Sequence, residues 1–256
     1  MVTHRLDEVF RIADRITVLR DGRRVATVDS QATSPRDLIG MIVGRSMNDA
    51  FVRPAPSTER VVLEVKDAVS GHVGPVSFTI AEGETLGLVG LRGAGHHTIG
   101  RSIFGQVPLA SGHISIDCNV VDPKDPADAM RKGIGFVSSR RAEESIAANM
   151  AVRENIYLNP AAAGKRVVQV IGRGAERGDA RAALGRFSIK AENTEQAVAT
   201  LSGGNQQKVV VARWMEARVR LLVLEEPTIG VDVSSKAEIY WYLHATPSFC
   251  SAARIR

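Results

Sequence analysis

The chain has 256 residues, 44% hydrophobic and 24% charged, which is enough for one full domain plus a smaller piece. Its apolar runs fall short of the roughly 20 residues that a bilayer-crossing helix needs, and MVTHRLDEVF lacks the basic-then-apolar order of a secretory leader. A net charge of +5, with acids interspersed, argues against a nucleic-acid patch, and Cys118 and Cys250 lie too far apart for a metal or redox motif, which suits a reducing compartment.

In chain order, Leu6, Val9, Phe10 and Ala13 repeat at helical spacing and run into a strand, ITVL, a DGR turn and a second strand, RVATV. That helix reads as one without the sheet it should cover. Residues 31–59 turn polar and contain Pro35, Pro54 and Pro56, with APSTER as a linker. From Val61, VVLEVKDAV and VSFTIAEGETLGLVG predict short strands, and about 150–195 is a helical, Ala- and Arg-rich segment. After EIYWYLH, the stretch ATPSFCSAARIR has neither period and predicts no element.

Three motifs carry chemistry. GLRGAGHHT, Gly90 to Thr98, follows an apolar run; its glycines allow close approach of an anion to backbone N–H groups at a helix start. A lysine and a hydroxyl normally follow the last glycine, but His96 and His97 stand there. By itself the loop is equally a phosphate cradle and a tight structural turn. LSGGNQQKVVVARWM opens a second helix with Ser202, Gly203 and Gly204 at its N-terminus, and Val209, Ala212 and Met215 mark one apolar face. RLLVLEEPTIGVDV contains a strand buried on both faces, with Glu225 and Glu226 at its C-terminal end, where parallel sheets bind ligands.

Together these strings resemble the ATP-binding subunit of a monosaccharide-type ABC importer, the ribose, xylose and galactose class. LSGGNQQKV resembles the family signature, LEEPTIGVDV its Walker B and D-loop, and GLRGAG the non-consensus Walker A of the second of two tandem nucleotide-binding domains. FG at 104–105, SGHISID at 111–117 and VRENI at 152–156 fit the same domain, and HRLDEVFRIADRITVLRDGR resembles the end of the first. The resemblance implies an α/β P-loop ATPase with an antiparallel β-subdomain and a helical subdomain. It implies residues 1–55 as the tail of a first domain plus linker, and 56–256 as a second domain truncated at its C-terminus.

It also implies roles. Gly90, Gly93, Ala94, Gly95, His96, His97 and Thr98 would bind this domain's nucleotide, and Leu201, Ser202, Gly203, Gly204 and Gln206 would face an ATP held by the opposed domain. Glu226 would be the general base, His4 the switch histidine of the first domain, Asp232 the D-loop acid, and Glu225 the organiser of Mg²⁺. The implied cofactors are ATP and Mg²⁺. The implied partners are a sister nucleotide-binding domain, sugar permease subunits and, indirectly, a periplasmic sugar-binding protein, at the cytoplasmic face of the membrane and without nucleic acid.

The chain departs from the family pattern at Glu225, where the family has aspartate, at Ser138 and Ser139 in the Q-loop region, and at His96 and His97. No aromatic residue in 61–80 is an evident adenine partner, since Phe78 lies in a strand pattern, and the domain's own switch histidine would need a further strand before it. The implied function is ATP-driven sugar import. The alternative is a module that holds nucleotide without turning it over, or an inactive fragment with a degenerate Walker A.

Overall fold

A computed structural model describes residues 2–3, 6–20, 22–44, 58–91, 93–158, 173–217, 219–245 and 253–255. His4 and most of the expected linker lie outside the described residues.

The N-terminal stretch folds as the helical and strand periods predict, but its helix does not lack a sheet. Helix α1 (Leu6–Ile12) is followed by an antiparallel hairpin, β1 (Arg15–Arg20) and β2 (Arg23–Asp29). Leu6, Val9, Phe10 and Ala13 pack against Ile16, Val18 and Leu38 in a small core of their own. Leu38 comes from α2 (Pro35–Val43), a helix inside the stretch read as polar connection. Its start signal was legible in SPRD: Ser34 caps by accepting from the Asp37 N–H at 3.2 Å, with Pro35 in the first turn. Gly44 ends it at φ 76°, a left-handed stop.

The larger core lies between two further sheets. Strands β3 (Val61–Ser70), β4 (Val73–Ala81), β6 (Ser111–Ile116) and β7 (Asn119–Val121) form an antiparallel sheet in the order β4-β3-β6-β7. Strands β5 (Thr85–Leu86), β8 (Ile134–Val137), β9 (Leu221–Leu224) and β10 (Ala253–Ile255) form a parallel one in the order β5-β10-β9-β8. Both β8 and β9 are buried along their whole length, as four consecutive apolar residues require of a covered parallel strand.

Strand β10 corrects the expectation of no element after EIYWYLH. Three residues are too few to display any period; they become a strand because β9 and β5 offer open ladder groups on either side.

Helices fill the rest: α3 (His96–Ile103), α4 (Pro126–Arg131), α5 (Val152–Ile156), α6 (Arg173–Arg186), α7 (Gly203–Glu216) and α8 (Val233–Ala245). Phe104 stacks on Phe136 with ring centroids 5.0 Å apart and meets the edge of Trp214 at 6.4 Å, joining α3, β8 and α7. Helix α7 was read as having one apolar face, yet nearly all of it from Gln207 to Met215 is buried. Its polar members are paired. Lys208 Nζ donates to Glu238 and to the Ser188 carbonyl, each at 2.7 Å, and Arg213 donates to the carbonyls of Asn155 and Ser145, each at 2.7 Å. No carboxylate neutralises Arg213 among the described residues, and burial pushes its guanidinium down to about 10.

Candidate functional site

A cavity of about 790 Å³ opens where β5 and β9 end and α3 begins. Its walls bring together Gly90, His96, His97, Glu225, Glu226 and Lys236. Among the expected site residues, Gly90, His96 and His97 of the loop share one space with the two acids, whereas Gly93, Ala94, Gly95 and Thr98 do not line it.

The loop's shape comes from its glycines. Gly95 caps α3 at φ 88°, where a side chain would be strained, and a Cβ there would drive into Val73. Gly93 is also left-handed, at φ 89°. Gly90 carries no side chain because a Cβ would stand 2.8 Å from that of Ala94 and 3.2 Å from His96 Nδ1. That Nδ1 is buried with no hydrogen-bond partner among the described residues. The rings of His96 and His97 lie 4.1 Å apart. Ala94 is exposed, and Thr98 lies inside the first turn of α3, its N–H donating to Gly95 at 2.9 Å.

Glu225 is the most heavily engaged side chain in the site. Its Oε1 accepts from Arg101 Nε at 2.9 Å and faces His97 Nδ1 at 3.2 Å. Its Oε2 accepts from Arg101 Nη2 at 2.7 Å, the Ser139 hydroxyl at 2.8 Å and the Ser139 N–H at 3.1 Å. Burial works to raise the carboxyl, but Arg101 and Ser139 outweigh it and hold it down at about 2. Arg101 is itself fixed on three sides: it also donates to Glu144 Oε2 at 3.0 Å and lies 5.6 Å above the Phe136 ring.

This overturns the expectation for Glu225. A carboxylate offers about four lone-pair positions, and donors already occupy them, so it has nothing left for Mg²⁺ or for a metal-bound water. His97 offers no hard oxygen where a hydroxyl ligand would stand, and no group of three or more His, Cys, Asp or Glu is placed to hold a metal among the described residues. Neither Glu225 nor the loop therefore offers Mg²⁺ an oxygen, and Glu226 is the one free carboxylate lining the cavity among the described residues.

Glu226 differs from its neighbour. It is exposed, has no side-chain partner among the described residues, and sits at φ 43°, a left-handed conformation costly for a side-chain-bearing residue. Lys236, on α8, lines the same cavity half-buried and without an ion-pair partner among the described residues. The motifs pointed to neither Arg101 nor Lys236; each reaches the site only through the tertiary fold.

The signature residues lie elsewhere. Ser202 is exposed and caps α7, its hydroxyl accepting from the Asn205 N–H at 3.4 Å and from the Asn205 side-chain Nδ2 at 2.9 Å. Gly203 and Gly204 pack against the D-loop: a Cβ on Gly203 would stand 3.1 Å from the Gly230 carbonyl, and one on Gly204 would meet Ser235. Asp232 caps α8, accepting from the Ser235 N–H at 2.9 Å and its hydroxyl at 2.8 Å. Leu201 is buried in the core, and the Gln206 amide donates to the Leu201 carbonyl at 3.1 Å, so both serve the local fold. Phe78 packs against the core, which removes it as an adenine partner.

Comparison with known proteins matches residues 73–229 to the ABC transporter family model. The ribose import ATP-binding protein RbsA of Bacillus licheniformis is 41% identical over 240 residues, 93% of this chain and 48% of that protein. An arabinose import ATP-binding protein, AraG 2, of Burkholderia cenocepacia is 39% identical over 241 residues, 93% of this chain and 47% of that protein. The chain thus spans about half the length of these curated relatives. Among solved structures, the ADP conformation of an ATP-binding cassette of an ABC transporter matches with a TM-score of 0.61 at 17% identity, covering 76% of this chain and 80% of that one. With the loop, the paired acids and the signature helix each in place, and with the family model covering more than half its length, this chain belongs to the ABC transporter family.

Proposed function

We propose that this chain is the ATP-binding, energy-coupling part of a sugar ABC importer, acting through two separate nucleotide-facing surfaces. The observation that carries the reading is their separation: Ser202 and Gly203 do not line the cavity that holds Gly90, His96 and Glu226. A helix N-terminus with exposed Ser202 at its tip suits the γ-phosphate of an ATP cradled by another domain. The cavity suits this chain's own nucleotide. The printed names of the relatives, ribose and arabinose import ATP-binding proteins, support ribose-like monosaccharides as cargo.

On this reading Glu226 acts as general base, its free carboxylate facing the cavity. Asp232 holds the D-loop against the signature. Residues 1–55 belong to a preceding nucleotide-binding domain, whose switch histidine is His4, and residues 56–256 form the second domain. Permease subunits bind the assembly at the inner membrane face, and a periplasmic binding protein delivers the sugar. No described helix is long and apolar enough to cross a membrane, so the permease supplies the crossing.

The test is Ser202→Asp in the two-domain protein. Aspartate caps a helix as well as serine does, so the fold is kept while a negative charge meets the opposed γ-phosphate. ATPase activity should fall by about a hundredfold, the usual scale for losing a preorganised donor at developing charge. An ATPase rate equal to that of the parent protein would overturn the head-to-tail reading.

A further inference from the structure

We propose that the cavity binds its nucleotide without help from a divalent ion, with Lys236 in place of both the missing Walker A lysine and the ion. The inference rests on the reading of this cavity as a nucleotide site. Two independent observations carry it.

The first is the state of Glu225. A metal organiser needs a free lone pair aimed at the ion, and each oxygen of Glu225 already accepts from Arg101, with Ser139 and His97 completing the set. Arg101 cannot turn away cheaply, because Glu144 and the Phe136 face hold it from other sides. The guanidinium thus cancels from behind the charge that would otherwise draw Mg²⁺ into the cavity.

The second is Lys236. Polyphosphate bound without a metal needs positive charge from the protein. Among the described residues lining the cavity, Lys236 is the one with a fixed cation, and no carboxylate pairs with it. Elsewhere the lysines with buried stems are paired, as Lys208 is with Glu238 at 2.7 Å. A half-buried lysine left without a partner in the cavity that the anion-binding loop opens into is placed for phosphate.

The experiment is equilibrium binding of ATP to the full chain, with excess Mg²⁺ or excess EDTA, for the parent sequence, Lys236→Met and Arg101→Met. The parent should bind equally in both buffers, to within about threefold, because Glu225 is taken by Arg101 and Ser139 and His97 stands where a hydroxyl would hold the metal. Lys236→Met should weaken binding in EDTA by about tenfold, the scale of one lost charge-assisted hydrogen bond. Arg101→Met should gain a preference for Mg²⁺ of at least about tenfold, since it frees Glu225. A parent preference for Mg²⁺ beyond threefold overturns the inference and leaves the nucleotide site standing. Unchanged binding by Lys236→Met overturns the role of that residue. Absence of binding in both buffers overturns the nucleotide reading itself, and the inference with it. Should Arg101→Met fail to fold, the parent and Lys236→Met, which removes no ion pair or hydrogen bond among the described residues, still decide the matter.

Discussion

Gly204, in the signature, lies so close to Asp232, in the D-loop, that a Cβ on the glycine would stand 2.9 Å from Asp232 Oδ2. Two motifs usually described by their nucleotide contacts are here packed against each other within one chain. Gly204→Ala should therefore destabilise the fold by about 1–3 kcal/mol, the usual cost of overpacking, before any nucleotide is added. Chemical denaturation of the free chain measures this; a stability matching the parent would mean that the D-loop can retreat.

Glu226→Gly should stabilise the free chain while removing the proposed base. The left-handed conformation at φ 43° costs an L-residue about 1–2 kcal/mol, and the entropy of glycine returns about 0.5–1 kcal/mol of that. A net gain of about 0.5–1 kcal/mol is expected by thermal denaturation, against little change for Glu226→Gln, which keeps the same strain.

Acid should weaken the link between Glu225 and Arg101. The folded carboxyl is held at about 2 against an ordinary 4.5, so its contribution is complete above pH 4.5 and is lost as the pH falls towards 2. With Glu225 only 5% exposed, the shift is worth on the order of 3 kcal/mol at neutral pH, of which about 2 kcal/mol is gone by pH 3. The stability difference between the parent and Glu225→Gln should shrink by that amount between pH 6 and pH 3 in urea titrations. A constant difference would show that Arg101 does not hold the acid.

The double variant His96→Lys, His97→Ser should tighten ATP binding by about tenfold, because it restores one charge-assisted phosphate contact. It should stay indifferent to Mg²⁺, because Arg101 still fills Glu225. Adding Arg101→Met to the pair should bring metal dependence. Calorimetric titration of the double and triple variants checks both statements.

Much of this site was legible in the residues themselves. LLVL announced a doubly covered strand with acids at its end, and LSGG announced a capped helix start, because both signals are local and periodic. The N-terminal helix, strand and turn were equally plain. Helix α2 was signalled by Ser34, Pro35 and Asp37 but masked by the polar composition around it. Arg101 and Glu225 are 124 residues apart, and nothing in the spacing of either says that they meet. The same holds for Lys236, which reads as one more charge on a helix until α8 is laid beside the cavity. Strand β10 has no period to read; it is defined by the two neighbours between which it fits.

That strand has a consequence for assembly. β5, which leads into the phosphate loop, and β9, which ends in Glu225, do not bond to each other; β10 lies between them and bonds to both. During synthesis the loop at Gly90 and the acids at 225–226 leave the ribosome well before residues 253–255, and until these arrive the two halves of the pocket have no shared ladder to hold them in register. The nucleotide cavity is thus closed by residues made well after its recognisable motifs. A nascent chain halted at residue 245 would carry every recognisable motif and still lack the wedge that aligns them.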